Sequence, residues 1–281
     1  MRTGMNPNRL ESVRGYAPIV LSVITHLPNL DDYHEQRLNV IKACLETMRI
    51  NAGDHNYQVL VWDNGSCDKL LYWLKRSYQP DYLITAPNVG KSIARASIVR
   101  MLPPDTMVGV SDDDMFFYSG WLDAHLKIYH TFPRVGTVSG WPVRTQFRFA
   151  NKATLNWGRQ YASKVETGRF ITEQEERDFC TSIGRDYDGY HKGYTVKDVD
   201  TRLTFRDAQA YAVGHHCQWI GRAGTMAEFV QYTPEAMANE RPFESVIDAA
   251  GLLRLTTTER TTRHIGNVLD ADLEALWQKI R

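Results

Sequence analysis

The chain has 281 residues, 43% hydrophobic and 11% aromatic, which is enough for one large domain with a sizeable core. Its 33 lysines and arginines balance 33 aspartates and glutamates, so nothing in the overall charge favours nucleic acid or an anionic membrane surface. Cys44, Cys67, Cys180 and Cys217 are scattered without CxxC or disulfide-like spacing, the polar opening Met1 to Arg14 lacks the apolar core of a secretory leader, and no apolar run is long enough to span a bilayer. A cytoplasmic location is expected, with association at the inner face of a membrane left open for a membrane-linked substrate.

Pro18 to Ile24 is a continuous apolar run, as for a strand covered on both faces, and it ends in the loop Thr25-His26-Leu27-Pro28. From His34 to Ile50, Leu38, Ile41, Leu45 and Met48 recur at helical spacing. Tyr57 to Trp62 reads as a second strand stopped by Asp63-Asn64-Gly65-Ser66, and a helix follows around Leu70 to Tyr78. Tyr82 to Ile84 is a short third strand, after which Asn88-Val89-Gly90 opens a helix through Ile93, Ala96 and Val99. The fourth strand, Met107 to Val110, runs into Asp112-Asp113-Asp114.

A fifth strand is expected at Val135 to Val138, and beyond it the pattern loosens. Arg144 to Arg169 mixes basic and aromatic residues without a clean period and reads as an acceptor loop or a solvated surface. Thr172 to Phe179 suggests a short helix, Ala208 to Val213 a strand and Ala223 to Val230 a helix. Arg241 to Ala250 is a further helix, ended by Gly251. Leu252 to Leu255 is a late strand, and Leu269 to Ile280 a closing helix.

Strands alternating with helices predict an α/β fold, a doubly wound and mainly parallel sheet. Such sheets bind ligands beyond the carboxyl ends of their strands, where Thr25, Asp63, Asn88 and Asp112 all fall. Three acids at the end of a buried strand repel one another unless a cation sits among them. In extended chain, Asp112 and Asp114 point to the same side, with Asp113 opposite. Hard carboxylate oxygens suit Mg²⁺ or Mn²⁺, which recruit phosphate oxygens as further ligands. The bland reading of the triplet is a solvated acidic turn.

From about Pro18 to Asn267 the chain resembles the family-2 glycosyltransferases, which have the GT-A (Rossmann-like) fold. Asp63-Asn64-Gly65-Ser66 resembles the acidic ending of the family's second strand, whose acid holds the nucleotide's base or ribose. Asn88-Val89-Gly90-Lys91, followed by Ala94-Arg95, is similar to the segment beneath the nucleotide. Asp112-Asp113-Asp114 resembles the DxD metal motif, and Gly120-Trp121-Leu122 stands where relatives carry Pro-Gly-Trp-Leu. Counting back from Gly251 sets Asn239-Glu240 over the family's Glu-Asp pair, which casts Glu240 as catalytic base. Counting forward sets His264 over its late metal or phosphate histidine. The chain departs from the family in having Asn-Glu for Glu-Asp, so Glu244, one turn later, and Asp198 or Asp200 are the other candidates for the base.

The resemblance implies a metal-dependent inverting glycosyltransferase that uses Mn²⁺ or Mg²⁺ and a nucleotide-diphosphate sugar, UDP-type favoured. Its acceptor would be a hydroxyl of a glycan, a lipid-linked molecule or another compound. The expected metal ligands are Asp112, Asp114 and His264. Donor-binding candidates are Thr25, His26, Asp63, Asn88, Gly90, Lys91, Arg95, Asp112 and Asp113. The expected organisation is a flexible segment over 1–16 and a single domain over 17–267. That domain divides into a nucleotide-sugar half, 17–140, and an acceptor half, 141–267, and a C-terminal helix follows over 268–281.

Other residues have plainer readings. Lys91 and Arg95 could equally sit on a solvated helix face, and Asp63 could simply form a turn. His215-His216 lacks a third ligand at helical or CxxC spacing, so these histidines are expected to line the acceptor side or fill the core. Trp121 and Trp141 follow strands and are the tryptophans best placed to stack on a sugar. Two rivals remain. A sugar-nucleotide pyrophosphorylase would need a Gly-rich first loop, which Thr25 to Asn29 lacks. A non-catalytic nucleotide-sugar- or carbohydrate-binding protein on the same scaffold stays open.

Overall fold

The computed structural model describes residues 15–230 and 241–281. The predicted first 16 residues of flexible segment fall almost entirely outside them. The N-terminal half alternates strand and helix: β1 (Ile19–Thr25), α1 (Arg37–Ile50), β2 (Tyr57–Asn64), α2 (Asp68–Trp73), β3 (Tyr82–Ala86), α3 (Lys91–Met101) and β4 (Met107–Asp112). A short β5 (Met115–Phe117), α4 (Trp121–Thr131) and β6 (Val135–Ser139) follow. The second half contains α5 (Lys152–Tyr161), β7 (Lys164–Gly168), α6 (Glu173–Ser182), α7 (Tyr187–Tyr190), β8 (Asp200–Phe205) and β9 (Ala208–Tyr211). It closes with β10 (Gln218–Arg222), α8 (Ala223–Ala227), α9 (Arg241–Ala249), β11 (Leu253–Thr257), β12 (Thr262–His264) and α10 (Ala271–Ile280).

Ten strands form one sheet in the order β3-β2-β1-β4-β10-β6-β11-β9-β8-β7. The four strands from β3 to β4 run parallel, as do β6 and β11. Strand β10 enters antiparallel between β4 and β6, and β9, β8 and β7 extend the far side as an antiparallel meander. The central strands of the sheet are buried on both faces because their residues alternate between two cores. Leu21 and Val23 of β1 join α1, α2 and α4 in one core, while Val20 and Ile24 join α3, α8 and α9 in the other. The apolar stripe Leu38, Ile41, Leu45 and Met48 of α1 is buried as its spacing predicts.

β12 pairs antiparallel with β5 in a separate two-stranded ribbon, with His264 opposite Met115. The closing helix α10 packs Leu273 and Trp277 against Val40 and Ala43 of α1. Neither β10 nor the ribbon is predicted by the sequence pattern, yet both set the geometry at the carboxyl edge of β1, β2 and β4. Among the described residues, no helix is long and apolar enough to cross a membrane.

Candidate active site

The acidic triplet ends β4 and turns into β5, and the ribbon partner β12 brings His264 beside it. The backbone bond from Ile265 N to Asp114 O, 2.7 Å, fixes that approach. The three carboxylates face different partners. Asp112 Oδ2 lies 2.6 Å from Lys91 Nζ at the start of α3. Asp113 turns inward, where one oxygen pairs with Arg37 Nη2 and the other accepts from His26 N at 3.0 Å. Asp114 Oδ2 lies 3.2 Å from Arg37 Nη1 and 3.4 Å from His264 Nε2. Its Oδ1 is buried without a hydrogen-bond partner among the described residues.

Burial and charge compete at these groups. Burial would raise Asp114, but His264, Arg37 and Lys91 outweigh it and hold the carboxyl well below the usual carboxylate range. Burial would lower His264, but the Asp114 carboxylate outweighs it and raises the imidazole above its ordinary value. At Asp113 burial prevails over Arg37, and the carboxyl is raised.

Arg37 also donates to Gly266 O at 3.3 Å, so one guanidinium ties the triplet to the loop after β12. Sequence reasoning missed this residue. Its signal was an arginine one turn before Ile41, on the side of the helix that is otherwise apolar. The His264 ring lies flat on Trp141, with centroids 5.8 Å apart and planes 12° apart. Trp141 and Trp121 are buried, so they do not offer the sugar-stacking faces expected of them. Trp141 serves as the shelf beneath His264, and Trp121 bonds Met48 O in the core.

Asp112, Asp114, Lys91 and His264 line a cleft of about 970 Å³. Its other walls include His216, Cys217 and Glu244, Thr181 to Gly184 at the end of α6, and Ile265 to Val268 after β12. Gly266 lets that end close in. It has φ +78°, and a Cβ there would sit 2.2 Å from Ser182 O. Glu244 Oε1 lies 2.8 Å from Arg254 Nη2 and 3.3 Å from His216 Nδ1.

The remaining sequence candidates are placed as follows. Asp63 is 1% exposed and accepts from Thr25 Oγ1 and Ser66 N, each at 3.2 Å. It thus holds the ends of β1 and β2 together instead of lining the cleft. His26 Nδ1 meets Asn64 O at 2.9 Å, and Asn88 Oδ1 accepts from Asn64 Nδ2 and Gly90 N. These bonds knit the three strand-end loops. Arg95 lies in the core with its guanidinium 5.2 Å from the Phe243 ring centre, so the structure does not bring it to the cleft. Glu240 lies outside the described residues. Asp200 is buried against Arg144 and the backbone of Phe170 and Ile171, and Asp198 pairs with Arg148. Both anchor the antiparallel meander, and neither joins Asp112 and Asp114.

His215, His216 and Cys217 place three donor atoms within 4.8 Å of one another, the cysteine being a neighbour that helical or CxxC spacing passes over. His215 Nδ1 already accepts from Cys217 N at 3.1 Å, and burial drives its imidazole well below the ordinary value.

The α/β sheet with an acid-lined cleft at the carboxyl edge of its parallel strands is consistent with the GT-A fold. The sequence model of the family described as Glycosyl transferase family 2 matches residues 33–199, more than half of the 281 residues. The chain belongs to that family. No curated protein matches it in sequence. It is similar to the mannosyltransferase PcManGT from Pyrobaculum calidifontis in complex with GDP-Man and Mn²⁺, at 20% identity and a TM-score of 0.36 over 49% of this chain and 41% of that one. It is also similar to S. aureus TarS 1-349, at 12% identity and a TM-score of 0.48 over 93% of this chain and 63% of that one. A third similarity is to HddC from Yersinia pseudotuberculosis, at 9% identity and a TM-score of 0.47 over 95% of this chain and 100% of that one. The chain therefore spans less than two thirds of the first two structures.

Proposed function

We propose that the protein is a metal-dependent, inverting glycosyltransferase that moves a sugar from a nucleotide-diphosphate sugar, UDP-type favoured, to a hydroxyl of a glycan or lipid-linked acceptor. The observation that carries this reading is Asp114 Oδ1, a buried carboxylate oxygen without a partner among the described residues, beside His264 in the cleft that Asp112 also lines. A carboxylate oxygen left unpaired costs free energy that a cation would recover. The donor set of Asp112, Asp114 and His264 fits Mn²⁺ or Mg²⁺. When bound, the ion would neutralise charge on the departing diphosphate.

The protein's own residues would share the remaining work. Lys91, a partly exposed cation 2.6 Å from Asp112, is placed to meet a phosphate oxygen as well. The knitted loops of Thr25-His26, Asp63 and Asn88-Gly90 would hold in place the sheet edge that meets the nucleotide, with Asp113 and Arg37 bracing it from below. Residues 17–140 would then bind the donor and 141–267 the acceptor, with the C-terminal helix as a brace. Glu244 on α9 faces the same cleft, where it supports deprotonation of the acceptor and direct displacement with inversion.

A thermal-shift screen of UDP- and GDP-sugars with and without Mn²⁺ tests the reading, since stabilisation follows ligand concentration over Kd. One donor class should stabilise the protein only with the metal and then release nucleoside diphosphate on incubation. Metal-independent stabilisation without release would favour the non-catalytic binder.

A further inference from the structure

Glu244 lines the cleft, yet its side chain is only 3% exposed, whereas that of His216 is 24% exposed. Both Arg254 Nη2 and His216 Nδ1 fall on the same oxygen, Oε1. Arg254 cannot follow the carboxylate outward, because it also donates to Ala150 O at 2.6 Å and Gly214 O at 2.8 Å. Gly214 makes this packing possible, since a Cβ there would lie 3.0 Å from Arg254 Cβ. The carboxylate is therefore held behind the histidine.

His216 is fixed in turn. Its ring stacks on His215, with centroids 4.7 Å apart and planes 23° apart. With Glu244 Oε1 accepting from Nδ1–H, the ring is in the tautomer whose Nε2 carries a free lone pair. Among the described residues, none bonds that nitrogen, and the side chain lines the cleft shared with Asp112 and Asp114.

We propose that His216 is the group that takes the acceptor's proton, with Glu244 orienting it and Arg254 fixing Glu244 in place. This rests on reading the cleft as a glycosyl-transfer site. As the acceptor oxygen bonds the anomeric carbon, its proton passes to His216 Nε2. The bond from that carbon to the diphosphate oxygen breaks, and its electron pair leaves with the diphosphate. Glu244 balances the imidazolium until it returns the proton to solvent. His216 is the catalytic residue of this pair, and Glu244 and Arg254 are positioning residues.

The test measures nucleoside diphosphate release from UDP-glucose, UDP-N-acetylglucosamine and GDP-mannose, with water as acceptor, in wild type, His216→Ala, His216→Gln and Glu244→Gln. Binding of UDP and GDP with Mn²⁺ is followed in parallel by thermal shift. Both His216 variants should bind the nucleotide as wild type does and lose ~10²–10⁴-fold in kcat. Added imidazole should restore part of the activity of His216→Ala, whose vacated space admits it, and none of that of His216→Gln. Glu244→Gln should lower kcat with little change in donor KM. If His216→Ala and His216→Gln turn over within about threefold of wild type, the proton goes elsewhere and the inference is wrong. If neither nucleotide binds wild type with Mn²⁺, the reading of the cleft fails first, and the inference with it.

Discussion

Lys91 Nζ sits 2.6 Å from Asp112 Oδ2, so the first acid of the triplet already carries a cation supplied by the chain itself. A metal at Asp112 and Asp114 must share that carboxylate with the ammonium or displace it. A diphosphate gives Lys91 a second place to go. On the proposed reading, metal entry and donor entry would be coupled through this one flexible side chain.

The coupling predicts opposite effects of Lys91→Met on the two ligands. Mn²⁺ alone should bind more tightly, because its competitor is gone. UDP in the presence of Mn²⁺ should bind about tenfold more weakly, the scale of one charge-assisted hydrogen bond. Isothermal titration of each ligand separates the two. Equal weakening of both would mean that Lys91 braces the site without competing for it.

Arg37 predicts a stability effect that depends on metal. Its guanidinium is buried between Asp113 and Asp114, and removing one partner of a buried pair costs about 3–5 kcal/mol. Arg37→Met should lose stability on that scale in urea denaturation. Because the variant leaves two carboxylates close together without their cation, Mn²⁺ should stabilise it more than it stabilises wild type. A loss that Mn²⁺ does not touch would place Arg37 outside the cation site.

His125 gives a pH dependence independent of the cleft. It is fully buried between Trp121 O at 2.6 Å and Gln218 Oε1 at 3.1 Å, and burial pushes its imidazole down to about 4. The unfolded chain then binds a proton near the ordinary value of 6.5, while the folded chain stays neutral down to about 4. Stability from this residue is present above about 6.5 and falls as pH drops toward about 4. Urea denaturation of wild type and His125→Gln at stepped pH should show the wild-type advantage shrinking through that window. A difference that stays constant with pH would contradict the assignment.

Much of the first half of the fold is legible in the sequence because each element there has a strong periodic signal. The run Pro18 to Ile24 covers β1 within a residue or two, and the stripe Leu38, Ile41, Leu45 and Met48 marks the buried face of α1. The second half lacks such signals for physical reasons. Helix α5 buries only Thr154 and Gly158, so no apolar stripe betrays it. Strand β7 is an edge strand with no fully buried residue, and Val165 faces solvent. The ribbon of β5 and β12 joins residues distant in the chain, and neither strand exceeds three residues.

The site divides along the same line. Alternation in extended chain separates Asp113 from Asp112 and Asp114, and the structure has Asp113 turned into Arg37 while the other two line the cleft. Arg37 shows in the sequence only as a lone charge on an apolar helix side, and Arg254 not at all, because the charged partner of each lies away from it in the chain. Sequence alone cannot show that Glu244 lies behind His216, because the contact joins two loosely patterned segments.

The most direct test of the central claim is an electron paramagnetic resonance titration of Mn²⁺ in the presence of UDP, comparing wild type with Asp114→Asn. The substitution keeps the size of the side chain and removes the charge from the carboxylate whose Oδ1 has no hydrogen-bond partner among the described residues. Wild type should remove the free-ion signal at one equivalent, and Asp114→Asn should need at least tenfold more protein to do so. Equal Mn²⁺ uptake by the two proteins would contradict the account.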